Sequence, residues 1–153
     1  MHSKRKYSRN RNETRKNRPF IKDKYKYTNG YIVTVFLQML NTVKLYHWKT
    51  HSYATHKATD ELYSDLNKNI DTFIEVLLGK TGTRVNLNGQ KTLPLHDYNN
   101  EANFKSEIEY YKQFLVNMNR DAGVNITNNS DLLNIRDELL GNLNQFTYLL
   151  TFT

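Results

Sequence analysis

The sequence predicts an all-α fold, a four-helix bundle running up-down-down-up (28–153) behind a basic N-terminal arm (1–27). Three observations carry this. From Thr28 onward the apolar residues recur at three-four spacing in four separate segments. Turn-forming residues, including the only proline beyond the arm, Pro94, collect in one long central stretch. Charge is divided sharply between the first 27 residues and the rest.

The arm holds eleven Lys/Arg against Glu13 and Asp23, a balance of +9. The whole chain carries +7, so the remainder is at −2. A basic arm and a slightly acidic body are therefore two different objects. The arm has too few aliphatic residues to pack a core and is expected to be disordered on its own. Lys4, Arg5, Lys6, Arg9, Arg11, Arg15, Lys16 and Arg18 are the candidates for neutralising phosphates of DNA or RNA, an attraction that weakens with salt. Tyr7, Phe20, Tyr25 and Tyr27 interleave with them and are placed to stack on unpaired bases. A solubilising tail, an import signal or a strap along an acidic neighbour would have the same composition.

The first helix starts at Thr28 or Asn29, either of which can cap it. Ile32, Phe36, Met39, Leu40, Val43 and Tyr46/His47 form its core face. The second helix runs from about Tyr53 to Leu78, with Gly79 expected as its left-handed stop. Residues 79–100 form a long loop, in which Val85, Leu87 and Leu93 around Asn88-Gly89 leave room for a small hairpin. The third helix, about Asn100 to Arg120, places Phe104, Ile108, Tyr111, Leu115 and Met118 on one face. An Asn-rich link precedes the fourth, where Leu132, Ile135, Leu139, Leu143, Phe146 and Leu150 continue the pattern.

The chain has no cysteine, which excludes disulfides and thiolate metal sites and fits a reducing compartment. No apolar run reaches the ~18 residues of a membrane span, and the arm lacks the apolar centre of a signal peptide. An intracellular location with no membrane partner is expected. The Gly79-Lys80-Thr81 triplet is not a phosphate loop, because it follows a helix and lacks the earlier glycine.

The chemistry concentrates between His47 and Glu75. With His56 at zero, Asp60 lies near 40°, Asp71 near 60° and Glu75 near 100° around the helix, at about 100° per residue. Tyr63, Ile70 and Ile74 share that stripe, so it is expected on the buried face, where carboxylates need a cation. Imidazole with carboxylate suits iron, manganese or zinc. Asp60 and Asp71 are roughly 16 Å apart along the axis, too far to share one ion. His56/Asp60 and Asp71/Glu75 are therefore two half-sites at i,i+4 spacing. His47, on the preceding helix, falls beside the first half-site if the two helices are antiparallel. A two-fold homodimer would complete the set twice.

The order His47-Trp48, His56-x-x-x-Asp60, then Asp71-x-x-x-Glu75 resembles the ferroxidase motif of Dps, the DNA-protecting miniferritins of the ferritin-like superfamily. The longer string YHWKTHSYATHKATDELY is similar to ferritin-like proteins of large DNA viruses. The resemblance implies a ferritin-like bundle in which His47, His56 and Asp60 of one subunit face Asp71 and Glu75 of its mate. It implies iron as the metal and a basic extension on nucleic acid, and Trp48 matches the tryptophan that follows the first histidine there; Trp48, with Tyr46, Tyr53 and Tyr63, is a candidate for accepting stray oxidising equivalents. The two histidines stand three residues closer than in that family, and the short helix of its central connection is missing, which puts a cage assembly in doubt. The competing expectation is a structural component of a virion or nucleoprotein that keeps the bundle without turnover.

Overall fold

The computed structural model describes residues 27–152, and the arm candidates Lys4 through Arg18 lie outside them. Four long helices account for most of it: α1 (Asn29–Lys49), α2 (Tyr53–Thr81), α3 (Glu101–Asp121) and α4 (Ser130–Leu149), with single 3-10 turns at Ile126–Asn128 and Leu150–Phe152. The start signals act as their chemistry requires. Thr28 Oγ1 accepts from Tyr31 N at 3.2 Å, Ser52 Oγ from Thr55 N at 3.2 Å and Asn100 Oδ1 from Asn103 N at 2.8 Å.

One stop signal differs from expectation. Gly79 does not end α2; the helix continues through it to Thr81, and Gly82, with φ of 63°, supplies the left-handed cap. The hairpin is also absent. Gln90 N donates to Leu87 O at 2.8 Å to close a turn, but the described residues hold no strand ladder, and the connection stays a loop.

Cross-helix contacts give the topology. Phe36 meets Phe114 and Tyr46 stacks on Phe104 at 4.0 Å, so α1 and α3 are antiparallel. Phe104 packs on Phe146, which turns α4 against α3. Lys80 pairs with Asp131 at 2.9 Å, placing the end of α2 at the start of α4. With α1 and α2 joined by a tight turn, the order is up-down-down-up. The loop from Gly82 to Asn100 must therefore climb the length of the bundle. It does so along α1: Leu87 lies under Gly30, Thr34 donates to Gln90 Oε1 at 3.0 Å, and Lys49 holds Asp97 at 2.6 Å and Asn99 at 3.0 Å.

The core is the set of apolar faces read from the periodicity. Phe36, Met39, Leu66, Phe73, Phe104, Ile108, Leu115 and Leu143 are fully enclosed, each contributing roughly 2 kcal/mol through removal from water. Arg136 is buried among them, donating to the Leu115 carbonyl at 3.0 Å beside the Asp137 carboxylate at 2.9 Å. Tyr27 belongs to this body and not to the arm. It is 4 % exposed, packs on Phe114, donates from its backbone to Asp121 O and accepts from Gly123 N. Its expected role in stacking on bases is accordingly withdrawn.

Candidate functional site

The tight turn at Thr50–Ser52 brings the end of α1 against the start of α2, and two imidazoles meet there. The His47 and His56 rings stack at 3.9 Å with 22° between their planes. Each ring is held by the backbone of the other: His47 Nδ1 lies 3.0 Å from His56 O, and His56 Nδ1 lies 3.0 Å from His47 O. His47 O is one of the four terminal carbonyls that a helix cannot bond internally, so the His56 ring caps α1. A carbonyl oxygen only accepts. Both Nδ1 atoms must therefore carry hydrogen, so that in a neutral ring the lone pair sits on Nε2.

A carboxylate stands beside them. Asp60 Oδ1 is 3.9 Å from His47 Nε2. Lys44 Nζ sits 4.0 Å from the same oxygen, 4.6 Å over the Tyr63 ring and 5.8 Å over Trp48. His47 is only 7 % exposed, whereas the Asp60 side chain is 56 % exposed. Trp48 is 67 % exposed.

The expected burial of the polar stripe is corrected. Asp60, Asp71 and Glu75 are all exposed. The core face of α2 is Thr55, Thr59, Leu62, Leu66, Ile70, Phe73 and Leu77, centred roughly 130° around the helix from the stripe. Ile70 belongs to that face; Tyr63 and Ile74 only border it. Hydrated carboxylates demand no cation, so burial gives no argument for metal within one chain. Among the described residues, no group of three or more His, Asp or Glu side chains gathers closely enough to hold an ion. His47, His56 and Asp60 come together at one end of α2, and Asp71 and Glu75 stand ~22 Å away along it.

A groove of about 240 Å³ opens beside Asp71, with Val33, Leu37 and Leu40 on the α1 side and Asn67, Ile70 and Ile74 on the α2 side. Leu37 is 40 % exposed at its rim. The outer face of α1 and α2 thus has an apolar groove beside the Asp71/Glu75 carboxylates at one end, and imidazoles with Asp60 and Lys44 at the other.

A second polar cluster was not foreseen. His96, for which the sequence shows no partner, lies 2.6 Å from Glu107 Oε1 through Nδ1, and Tyr98 donates to Glu107 Oε2 at 2.7 Å. Tyr111 also hydrogen-bonds Glu107, and its hydroxyl meets Thr42 Oγ1 at 2.8 Å. Burial raises the Glu107 carboxyl, but the bonds from His96, Tyr98 and Tyr111 outweigh it and hold the group below its ordinary value. Burial and the same carboxylate push the Tyr98 hydroxyl up to about 12. Of this cluster only Tyr111 was named from the sequence, as a core residue of the third helix; the loop residues carried no periodic signal.

Among the described residues no helix is long and apolar enough to cross a membrane. Comparison with curated proteins and with solved structures yields no match. Residues 47–150 match a family described as a family of unknown function, DUF5856. That match begins at His47 and takes in both imidazoles, every candidate ligand and the whole of α2, α3 and α4, and the chain belongs to this family.

Proposed function

We propose that the chain is a ferritin-like, Dps-like protein that binds iron at sites shared between two copies, with manganese or zinc as chemically acceptable alternatives. The observation that carries this reading is the pair of stacked imidazoles whose Nδ1 hydrogens are committed to carbonyls, which in neutral rings keeps each Nε2 as the ligating atom, with His47 Nε2 3.9 Å from Asp60 Oδ1. Borderline transition cations take such donors, and fixing the far nitrogen is how ligating histidines are oriented. One chain offers half a site. In an antiparallel two-fold dimer across the α1/α2 face, each Asp71/Glu75 end meets the other copy's His47/His56/Asp60 end.

Ferrous iron is the substrate in this account. Two ions each give one electron to hydrogen peroxide, which takes two protons from solvent and leaves as two waters; dioxygen is the alternative oxidant. Trp48, at the edge of the half-site, is the residue assigned to intercept stray oxidising equivalents. The bundle's up-down-down-up order, with a connection spanning its full length, supports the ferritin-like reading. The basic arm, rooted at the buried Tyr27, is assigned to DNA or RNA.

Anaerobic ferrous iron followed by peroxide gives a ferric absorbance in the wild-type protein and none in Asp71→Ala. A flat wild-type trace rejects oxidation. Binding without oxidation leaves the structural reading, in which the metal only cements the dimer of a virion or nucleoprotein component. Deleting residues 2–26 abolishes salt-sensitive retardation of DNA; unchanged retardation removes the arm from the account.

A further inference from the structure

Thr59 has no place in the ligand set, yet it is fully buried beneath it. Its hydroxyl hydrogen is committed to the carbonyl of Thr55 at 2.8 Å or of His56 at 2.9 Å. Its remaining lone pairs face His47 Nδ1 at 3.2 Å. The His47 N–H therefore points between two acceptors, His56 O and Thr59 Oγ1, both on the first turns of α2.

We propose that Thr59 is a positioning residue, holding the His47 imidazole as the Nδ1–H form with Nε2 turned toward Asp60, so that a divalent transition cation meets a preset donor. A single carbonyl biases the ring toward hydrogen on Nδ1 without locking it there; two acceptors lock it. A second acceptor, off the first one's axis, also fixes the plane of the ring. The cost is met within α2: a threonine bonded back to a helical carbonyl already has its donor satisfied, leaving acceptor capacity to spend on the histidine. Valine would fill the same space without that capacity, and serine would keep it.

The consequence for metal rests on the reading given above; the state of the ring does not. Long-range proton–nitrogen correlation on the metal-free, full-length protein reads the ring directly. Wild type and Thr59→Ser show His47 with hydrogen on Nδ1 and a lone pair on Nε2, and Thr59→Val shows a mixed or averaged pattern. Titration with Zn2+ alone then gives about tenfold weaker binding for Thr59→Val and near wild-type binding for Thr59→Ser, in the range typical of lost outer contacts to a ligating histidine. Helix content stays the same in all three. A wild-type His47 protonated on Nε2, or a Thr59→Val protein with unchanged nitrogen pattern and Zn2+ affinity, overturns the proposal. Wild-type protein that takes up neither Zn2+ nor Fe2+ sinks the shared metal site, and the nitrogen pattern still decides for or against Thr59.

Discussion

Two corners of the bundle place histidine beside a carboxylate, and they spend their hydrogen-bonding capacity in opposite ways. At the corner between the long loop and α3, Glu107 collects His96, Tyr98 and Tyr111, and Tyr111 goes on to Thr42. Both carboxylate oxygens are occupied there. At the turn between α1 and α2, His47 and His56 satisfy only their Nδ1 sides, on each other's backbone, and Asp60 stands off at 3.9 Å. A saturated cluster fastens the fold, here pinning the loop to the bundle. An oriented but open one is equipped to receive something. Charge count alone does not separate the two.

The largest effect expected from breaking this contrast is on metal. His56→Ala removes one Nε2 donor and the cap on α1, and should weaken Fe2+ or Zn2+ binding at least ~100-fold by titration calorimetry, since a lost donor costs more than a lost outer contact. Its thermal stability should fall by only about 1 kcal/mol, the worth of one hydrogen bond. The closed corner should respond the other way. Glu107→Leu strands buried donors and should cost about 2–3 kcal/mol, lowering Tm by roughly 8 °C while leaving metal affinity unchanged. If Glu107→Leu instead spares Tm and impairs metal, the roles of the two corners are exchanged.

Acidity sharpens the difference. The Glu107 carboxyl lies below its ordinary value of 4.5, so its contribution is complete above that value and disappears as pH falls through the lower folded value. The Tyr98 hydroxyl, pushed up to about 12 from 10, contributes below pH 10 and loses its contribution as pH climbs toward 12. The gap in Tm between wild type and Glu107→Leu should therefore close at both extremes of a pH series; a gap constant down to strong acid would remove the carboxylate from the explanation. The smallest effect belongs to Asp60→Asn. Its contact with Lys44 is long and solvent-exposed, so stability should change by less than about 0.5 kcal/mol.

The helices were legible because their apolar spacing and side-chain caps are local physics. Thr28, Ser52 and Asn100 needed no tertiary information to mark a start. The stop at Gly82 was misplaced at Gly79 because two glycines three residues apart both offer a left-handed cap, and the helix took the later one. The polar stripe on α2 was legible as a stripe but not in its burial. Thr55 and Thr59 read as polar in sequence, yet they lie on the core face and rotate it away from Asp60, Asp71 and Glu75. The crossed bonds between His47 and His56 depend on how tightly the turn closes, which spacing alone does not encode. His96 found Glu107 only because the loop is forced to climb α1.

The central claim is that ligands at opposite ends of α2 are completed by another copy of the chain. Mixing two variants tests this most directly. His56→Ala and the double variant Asp71→Ala, Glu75→Ala should each bind no Fe2+ in the high-affinity range when alone. Unfolded and refolded together in equal amounts, they should regain about one quarter of the wild-type sites, because half of the dimers are mixed and each mixed dimer rebuilds one site of two. Recovery no greater than the mean of the two separate variants would contradict the shared site.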